Sequence, residues 1–287
     1  MAYSVNTNVG AMAALQSLNV TNRALEKTQS RINTGLNVSS TKDDSANFTI
    51  AQSLRGDLAG LKSVSASLSR AKSVTDVAVA GAEQISDIVN QMKELALRAA
   101  DAGVDADSRA AINKDFTALR DQIGTIVNSS EFNGTNLLKT GGGSVTALQS
   151  LNDADSGTAG WQPDSLSVAN QGLDLGQAGG TFANVTATSE IATQADAQAM
   201  VDTLDTAMTA LNGQLSSLGA GSRKITAQAS FTSKLADVIE AGIGNLVDAD
   251  LAKESAKLTA LQTQQQLGIQ ALSIANQGPG AILSLFR

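Results

Sequence analysis

Cysteine and histidine are both absent from the 287 residues. Zinc sites of the usual Cys/His kind are therefore excluded. So are cysteine nucleophiles and every Ser–His or Cys–His catalytic arrangement. The side chain best suited to proton transfer near neutral pH is missing as well. Proline occurs only at Pro163 and Pro279, so long stretches are free of the strongest helix breaker. Aromatic residues make up 3% of the chain, with one tryptophan, Trp161, and one tyrosine, Tyr3. Ala, Leu, Val and Ile must fill any core, which suits helices packed closely side by side. The opening MAYSVNTNVGAMAALQSL has neither a basic start nor a continuous apolar run, so no secretory signal peptide is expected. No run approaches membrane-spanning length, and a soluble chain that makes no membrane contact is expected.

Basic residues are missing from one long stretch. Between Lys139 and Arg223 there is no Lys or Arg, but there are eight acids: Asp153, Asp155, Asp164, Asp174, Glu190, Asp196, Asp202 and Asp205. That stretch carries −8 against a net charge of −7, leaving +1 for the rest. Nine of the 25 glycines fall in residues 141–180, so the acidic stretch opens with a non-helical middle. One hairpin is expected there, with Ser165–Val168 pairing with Leu173–Leu175 across a turn at Asn170–Gly172. No basic patch with interleaved aromatics supports nucleic-acid binding, and no spacing supports a metal or a cofactor.

What is present is helical period at both ends. Leu18, Leu25 and Ile32 recur at seven, with Leu15 and Leu36 in complementary positions; Asn22 and Gln29 occupy the same seam and leave it half apolar. A second pattern runs from about 44 to 101 through Leu54, Leu58, Leu61, Val64, Leu68, Ala71, Ala78, Ala82, Ile85, Val89, Met92 and Ala96. At 1.5 Å per residue this helix is about 85 Å long. Ser40 or Thr41 is expected to cap it, and Gly103 to end it. Asp105 or Asp107 then caps a shorter helix striped by Ile112, Phe116, Leu119, Ile123 and Ile126. The period resumes from Met200 to Leu246, with Gly219 and Gly221 weakening its continuity. A last helix is expected over 249–276, stopped by Gly278–Pro279–Gly280 and followed by an apolar tail.

The fold class is mainly α: a long antiparallel helical coiled-coil rod formed by both chain ends, with a small β-hairpin excursion in the middle. The terminal helices have narrow seams and few charges; before residue 41 only Arg23, Glu26, Lys27 and Arg31 are charged. Such helices bury too little surface alone to offset about 1–2 kcal/mol per residue of backbone entropy. They read as segments that order when neighbouring chains complete their packing. Leu15, Leu18, Leu25, Ile32, Leu258, Leu261, Leu272, Ile282, Leu283, Leu285 and Phe286 are the candidate assembly residues. The plain alternative is that they form ordinary intramolecular core.

The chain resembles the flagellin family, close to its alphaproteobacterial members. The resemblance rests on Ser4–Asn8, Ser30–Leu36, Ser40–Ala46 and Glu131–Leu138 toward the N-terminus, and on Val247–Ser255, Ala275–Gln277 and Leu283–Arg287 toward the C-terminus. It covers about residues 1–139 and 196–287. It implies a structural subunit, not an enzyme, that polymerises into the bacterial flagellar filament for swimming motility. It also implies export through the flagellar type III apparatus, an extracellular location, and partners that are copies of itself, an export chaperone, and cap and hook-associated proteins. The implied division is 1–43 as N-terminal inner helix and linker, 44–139 and 196–248 as the halves of an outer helical domain, 140–195 as a short variable region, and 249–287 as C-terminal inner helix and tail. The rival readings are a hook-associated junction protein and, more distantly, a secreted enzyme or binding module in the acidic middle.

Gln91–Ala96 resembles the flagellin segment that animal Toll-like receptor 5 recognises in some bacteria. Glu94 and Leu95 match it, but Gln91 stands where recognised members carry arginine, and Asp115 where they carry glutamate. Loss of a guanidinium is not conservative. Weak or absent receptor activation is expected, and a reporter-cell assay checks it; potent activation would refute the reading.

Overall fold

The computed structural model describes residues 7–153 and 162–284. Its elements are α1 (Val9–Thr34), α2 (Ser45–Ala100), α3 (Ala106–Ser129), β1 (Val145–Asp153), β2 (Pro163–Val168), α4 (Gln194–Val247) and α5 (Leu251–Ser284). The chain divides into two compact units. Unit one is Met1–Leu58 with Val238–Arg287, and unit two is Ala59–Asp237.

Unit two is built on the stripes that the sequence displays. Val64, Leu68, Ala71, Ala78, Ala82, Ile85, Val89, Met92 and Ala96 of α2 are buried with Ile112, Phe116 and Ile123 of α3 and Met200, Leu204, Ala207, Leu211 and Leu218 of α4. Small residues on α2 let other groups approach closely. At Gly81 a Cβ would stand 2.4 Å from Ser130 Oγ and 2.8 Å from Leu138 Cδ1. Both neighbours are buried, and Ser130 Oγ donates to the Ile126 carbonyl at 2.7 Å. Gly81→Val is expected to lower the stability of the chain by about 2 kcal/mol through overpacking. Gly213→Ala, at a helical position with open space around it, is expected to raise stability by about 0.5–1 kcal/mol. Urea unfolding of the two variants checks the opposite signs.

Helix ends are set by side chains. Asp44, rather than Ser40 or Thr41, starts α2: its Oδ1 accepts from the Asn47 N–H at 3.0 Å, because it stands directly before the first helical residue. α2 ends at Ala100, and Arg109 closes it by donating to the carbonyls of Ala99, Asp101 and Val104. Asp105 caps α3 by accepting from the Ser108 N–H at 2.9 Å and its hydroxyl at 2.8 Å. The backbone N–H of Ser108 first, then its hydroxyl, hold the Asp105 carboxyl below the ordinary carboxylate range. A lowered folded-state pKa adds stability that is present above the unfolded value, about 3.9. That contribution is lost as the pH falls through the lowered value.

The strand at Pro163–Val168 does not pair with Leu173–Leu175. It pairs antiparallel with β1, Val145 opposite Val168 and Ala147 opposite Leu166. The reason lies in the following loop. Asn170 Nδ2 donates to the carbonyls of Asn136, Lys139 and Gly143, so residue 170 is bound to the preceding loop instead of turning a hairpin. The Gln171 and Leu173 N–H groups then donate to the Leu137 and Leu138 carbonyls, and Leu173 is fully buried. Val145, Ala147 and Val168 face inward. α4 runs without a break through Gly219 and Gly221, where Gly221 leaves room for the Val168 side chain of β2.

In unit one, α1 and α5 pack along each other. Val38, Ala51, Ile243 and Val247 form a small core beside them, with Phe48, Leu54 and Leu58 packed against it. The linkers at 35–38 and 247–249 pair through main-chain bonds: the Asn37 and Val38 N–H groups donate to the Val247 carbonyl, and the Ala249 N–H donates to the Gly35 carbonyl. Gly35 ends α1 in the left-handed region at φ 72°.

Candidate subunit interface

The α1/α5 pair is antiparallel, and its polar contacts show the stagger. Arg31 Nη1 meets Glu254 Oε1 at 3.1 Å, Gln265 Nε2 donates to Asn22 Oδ1 at 2.8 Å, and Asn8 Nδ2 donates to the Ala275 carbonyl at 2.8 Å. Gly268 lies where a Cβ would come within 3.3 Å of Leu18 Cδ1. Asn22, which breaks the apolar seam in the sequence, thus has a partner of its own across the pair. A single polar residue in a seam fixes register at some cost in stability. Asp43 ties the linker to α1, with Lys27 Nζ at 3.4 Å from its Oδ1. The hydroxyl and the N–H of Ser39 are the main groups that hold the Asp43 carboxyl below its ordinary range.

The candidate assembly residues fall into three environments. Leu261 is buried, at 8% exposure. Leu18, Leu25, Ile32, Leu258 and Leu272 are half-buried. Leu15 is exposed at 51%. The side chains of Ile282 and Leu283, and residues Leu285 and Phe286 altogether, lie outside what the structure describes. The sequence reading missed a further set of exposed apolar residues on the same two helices: Val9, Met12, Val20, Leu251, Leu267, Ile269 and Ile274, with Val9 at 75% and Ile274 at 70%. Their scatter around both helices hid them from a search for one stripe.

Gln91, Glu94 and Leu95 lie on α2 and Asp115 on α3, all within unit two. Gln91, Glu94 and Asp115 are exposed, and Leu95 packs against the core. Lys93, in the same segment, pairs with Asp205 of α4. Among the described residues no group of acidic side chains is arranged to hold a metal ion, and no helix is long and apolar enough to cross a membrane.

Two family models match most of the chain. The bacterial flagellin N-terminal helical region matches residues 5–141, and the bacterial flagellin C-terminal helical region matches residues 201–286. The chain belongs to the bacterial flagellins. Flagellin FljM of Caulobacter vibrioides is 44% identical over 99% of this chain and 98% of its own length. A flagellin of Brucella melitensis is 34% identical over 99% of each chain, which agrees with an alphaproteobacterial type. A solved structure assigned to a flagellar hook-associated protein of Vibrio parahaemolyticus has a TM-score of 0.53, covering 72% of this chain and 100% of that one. At 14% identity that likeness shows the fold alone. This flagellin is a structural subunit of the flagellar filament, an extracellular polymer. The matched regions take in all of α1, α2, α3 and α5, and they leave the β1/β2 sheet outside.

Proposed function

We propose that the α1/α5 pair is the part of each flagellin that binds its neighbours in the filament. The observation that supports this most directly is the set of large aliphatic side chains exposed on both helices, Val9, Met12, Ile269 and Ile274 among them. A filament needs a heterologous contact that does not close into a ring. Apolar side chains scattered around a helix pair offer several such contacts at once. Each Leu or Ile fully buried by a neighbour contributes about 1.5–3 kcal/mol. Leu15, Leu18, Leu25, Ile32, Leu258, Leu261, Leu272, Ile282, Leu283, Leu285 and Phe286 belong to this proposal, extended by the exposed residues above.

The segment division at 43/44, 139/140, 195/196 and 248/249 is part of the same reading, with the terminal segments as the assembling ones. The acidic side chains of the stretch between Lys139 and Arg223 are assigned to solvent, where like charge keeps filaments apart. No catalytic role is assigned to any residue. The chain is taken to leave the cell through the flagellar type III apparatus, with an export chaperone, and to meet cap and hook-associated proteins at the filament ends. The exposed Gln91, Glu94 and Asp115 are assigned to a helix surface that contacts neighbouring subunits and leaves the animal receptor unengaged.

Salting out the purified full-length chain and viewing it by negative-stain microscopy tests the central point. Long filaments are expected. Short caps or dispersed monomers at every salt concentration would favour the hook-associated reading.

A further inference from the structure

The Gly278–Pro279–Gly280 sequence is expected to stop α5, yet the helix runs on to Ser284. A proline has no N–H, so residue 279 cannot supply the bond that the Ala275 carbonyl would accept from four residues on. That carbonyl accepts instead from Asn8 Nδ2 at 2.8 Å. The other atom of the same amide is also in use: Asn8 Oδ1 accepts from the Ala11 N–H at 3.0 Å and caps α1. The two helices lie close at this point: a Cβ on Gly10 would stand 3.9 Å from the Ala275 Cβ, at ordinary contact distance.

We propose that Asn8 is a positioning residue matched to Pro279: its side-chain amide replaces the N–H that the proline lacks, so that the last turns of α5 form only when docked on the start of α1. Among good helix-capping residues, only asparagine carries an acceptor for the cap and an N–H donor on one rigid group. Aspartate keeps the cap and has no donor; serine keeps the cap and loses the amide N–H, with only a shorter hydroxyl in its place. The first turn of α1 and the last turns of α5 then order as one unit, although 267 residues separate the two partners. The consequence for polymerisation rests on the filament reading above; the coupling between Asn8 and Pro279 does not.

The test is a double-mutant cycle on the full-length chain, with Asn8→Ser, Pro279→Ala and the double variant. The readout is amide hydrogen exchange of peptides covering 276–284 in assembled filaments. Asn8→Ser is expected to speed that exchange about five- to tenfold. With Pro279→Ala present, the backbone N–H of residue 279 takes the carbonyl, and Asn8→Ser is expected to have no further effect. Equal acceleration in both backgrounds, or none in either, overturns the proposal. If Asn8→Ser fails to polymerise, restoration of filaments by Pro279→Ala supports it, and failure to restore them overturns it. If the wild-type chain itself does not polymerise, the filament reading fails. The same cycle is then read on the unassembled chain, where coupled protection supports the pairing and absent protection overturns it.

Discussion

A chain lacking residues 1–44 and 249–287 is expected to remain helical and to form no filaments at any salt concentration that assembles the full-length protein. The truncated chain keeps the whole of unit two, whose core joins α2, α3 and α4 around Phe116, Met92 and Leu204. Its circular dichroism spectrum and urea transition are therefore expected to resemble those of the unit-two part of the intact chain. What it loses is the α1/α5 pair, with Val9, Met12, Leu15, Val20, Leu267, Ile269 and Ile274 exposed upon it. Burial of just two such side chains by a neighbour contributes about 3 kcal/mol or more. That corresponds to about a hundredfold in association constant. Several such losses move the critical concentration out of reach. Sedimentation of the truncated chain after salting out reads the effect. Long fibres from it would show that unit two polymerises alone, and the assignment of the terminal helices would fall.

Glu254→Ala is expected to destabilise the α1/α5 pair by about 3 kcal/mol. Glu254 is 8% exposed, and its carboxylate meets Arg31, whose side chain is 20% exposed. Removing the carboxylate leaves a largely desolvated guanidinium that pairs with no other carboxylate among the described residues. Thr28, buried one turn away, offers only a hydroxyl. The cost is thus the cost of an unpaired charge, and it exceeds the net contribution of the ion pair itself. For that reason the double change Arg31→Met with Glu254→Leu is expected to be near neutral for stability. Thermal dissociation of filaments, followed by light scattering, separates the two cases. A double variant as unstable as Glu254→Ala would mean that packing volume, and not charge, controls this site.

The helical stripes were legible because periodicity is a local property. From Leu61 to Ala96 every apolar position expected along α2 is buried in the structure, and Asp105 caps α3 as one of two candidates foresaw. Three things escaped. The partner of the Pro163–Val168 strand depends on where Asn170 sends its N–H groups, and nothing near residue 170 in sequence reveals the loop at 136–143 that receives them. The continuation of α5 past Pro279 depends on a side chain at the opposite end of the chain. The pairing of Asn22 with Gln265 likewise joins residues that sequence spacing cannot relate. At the candidate interface, Leu18, Leu25 and Ile32 stand out in the sequence because they recur at seven. Val9, Met12 and Ile274 escaped because exposed apolar residues need not share a stripe with those packed inside the monomer.

The linker pairing at 35–38 and 247–249 uses main-chain atoms only. A tie of that kind is blind to side-chain identity. Asn37 or Asp248 can drift to other residues while the stagger between the first and last helices stays where it is. Only proline at 37, 38 or 249 strikes at the donors themselves. Subunits of somewhat different sequence would then still present their terminal helices at the same offset, and a single fibre could be spun from a mixture of them.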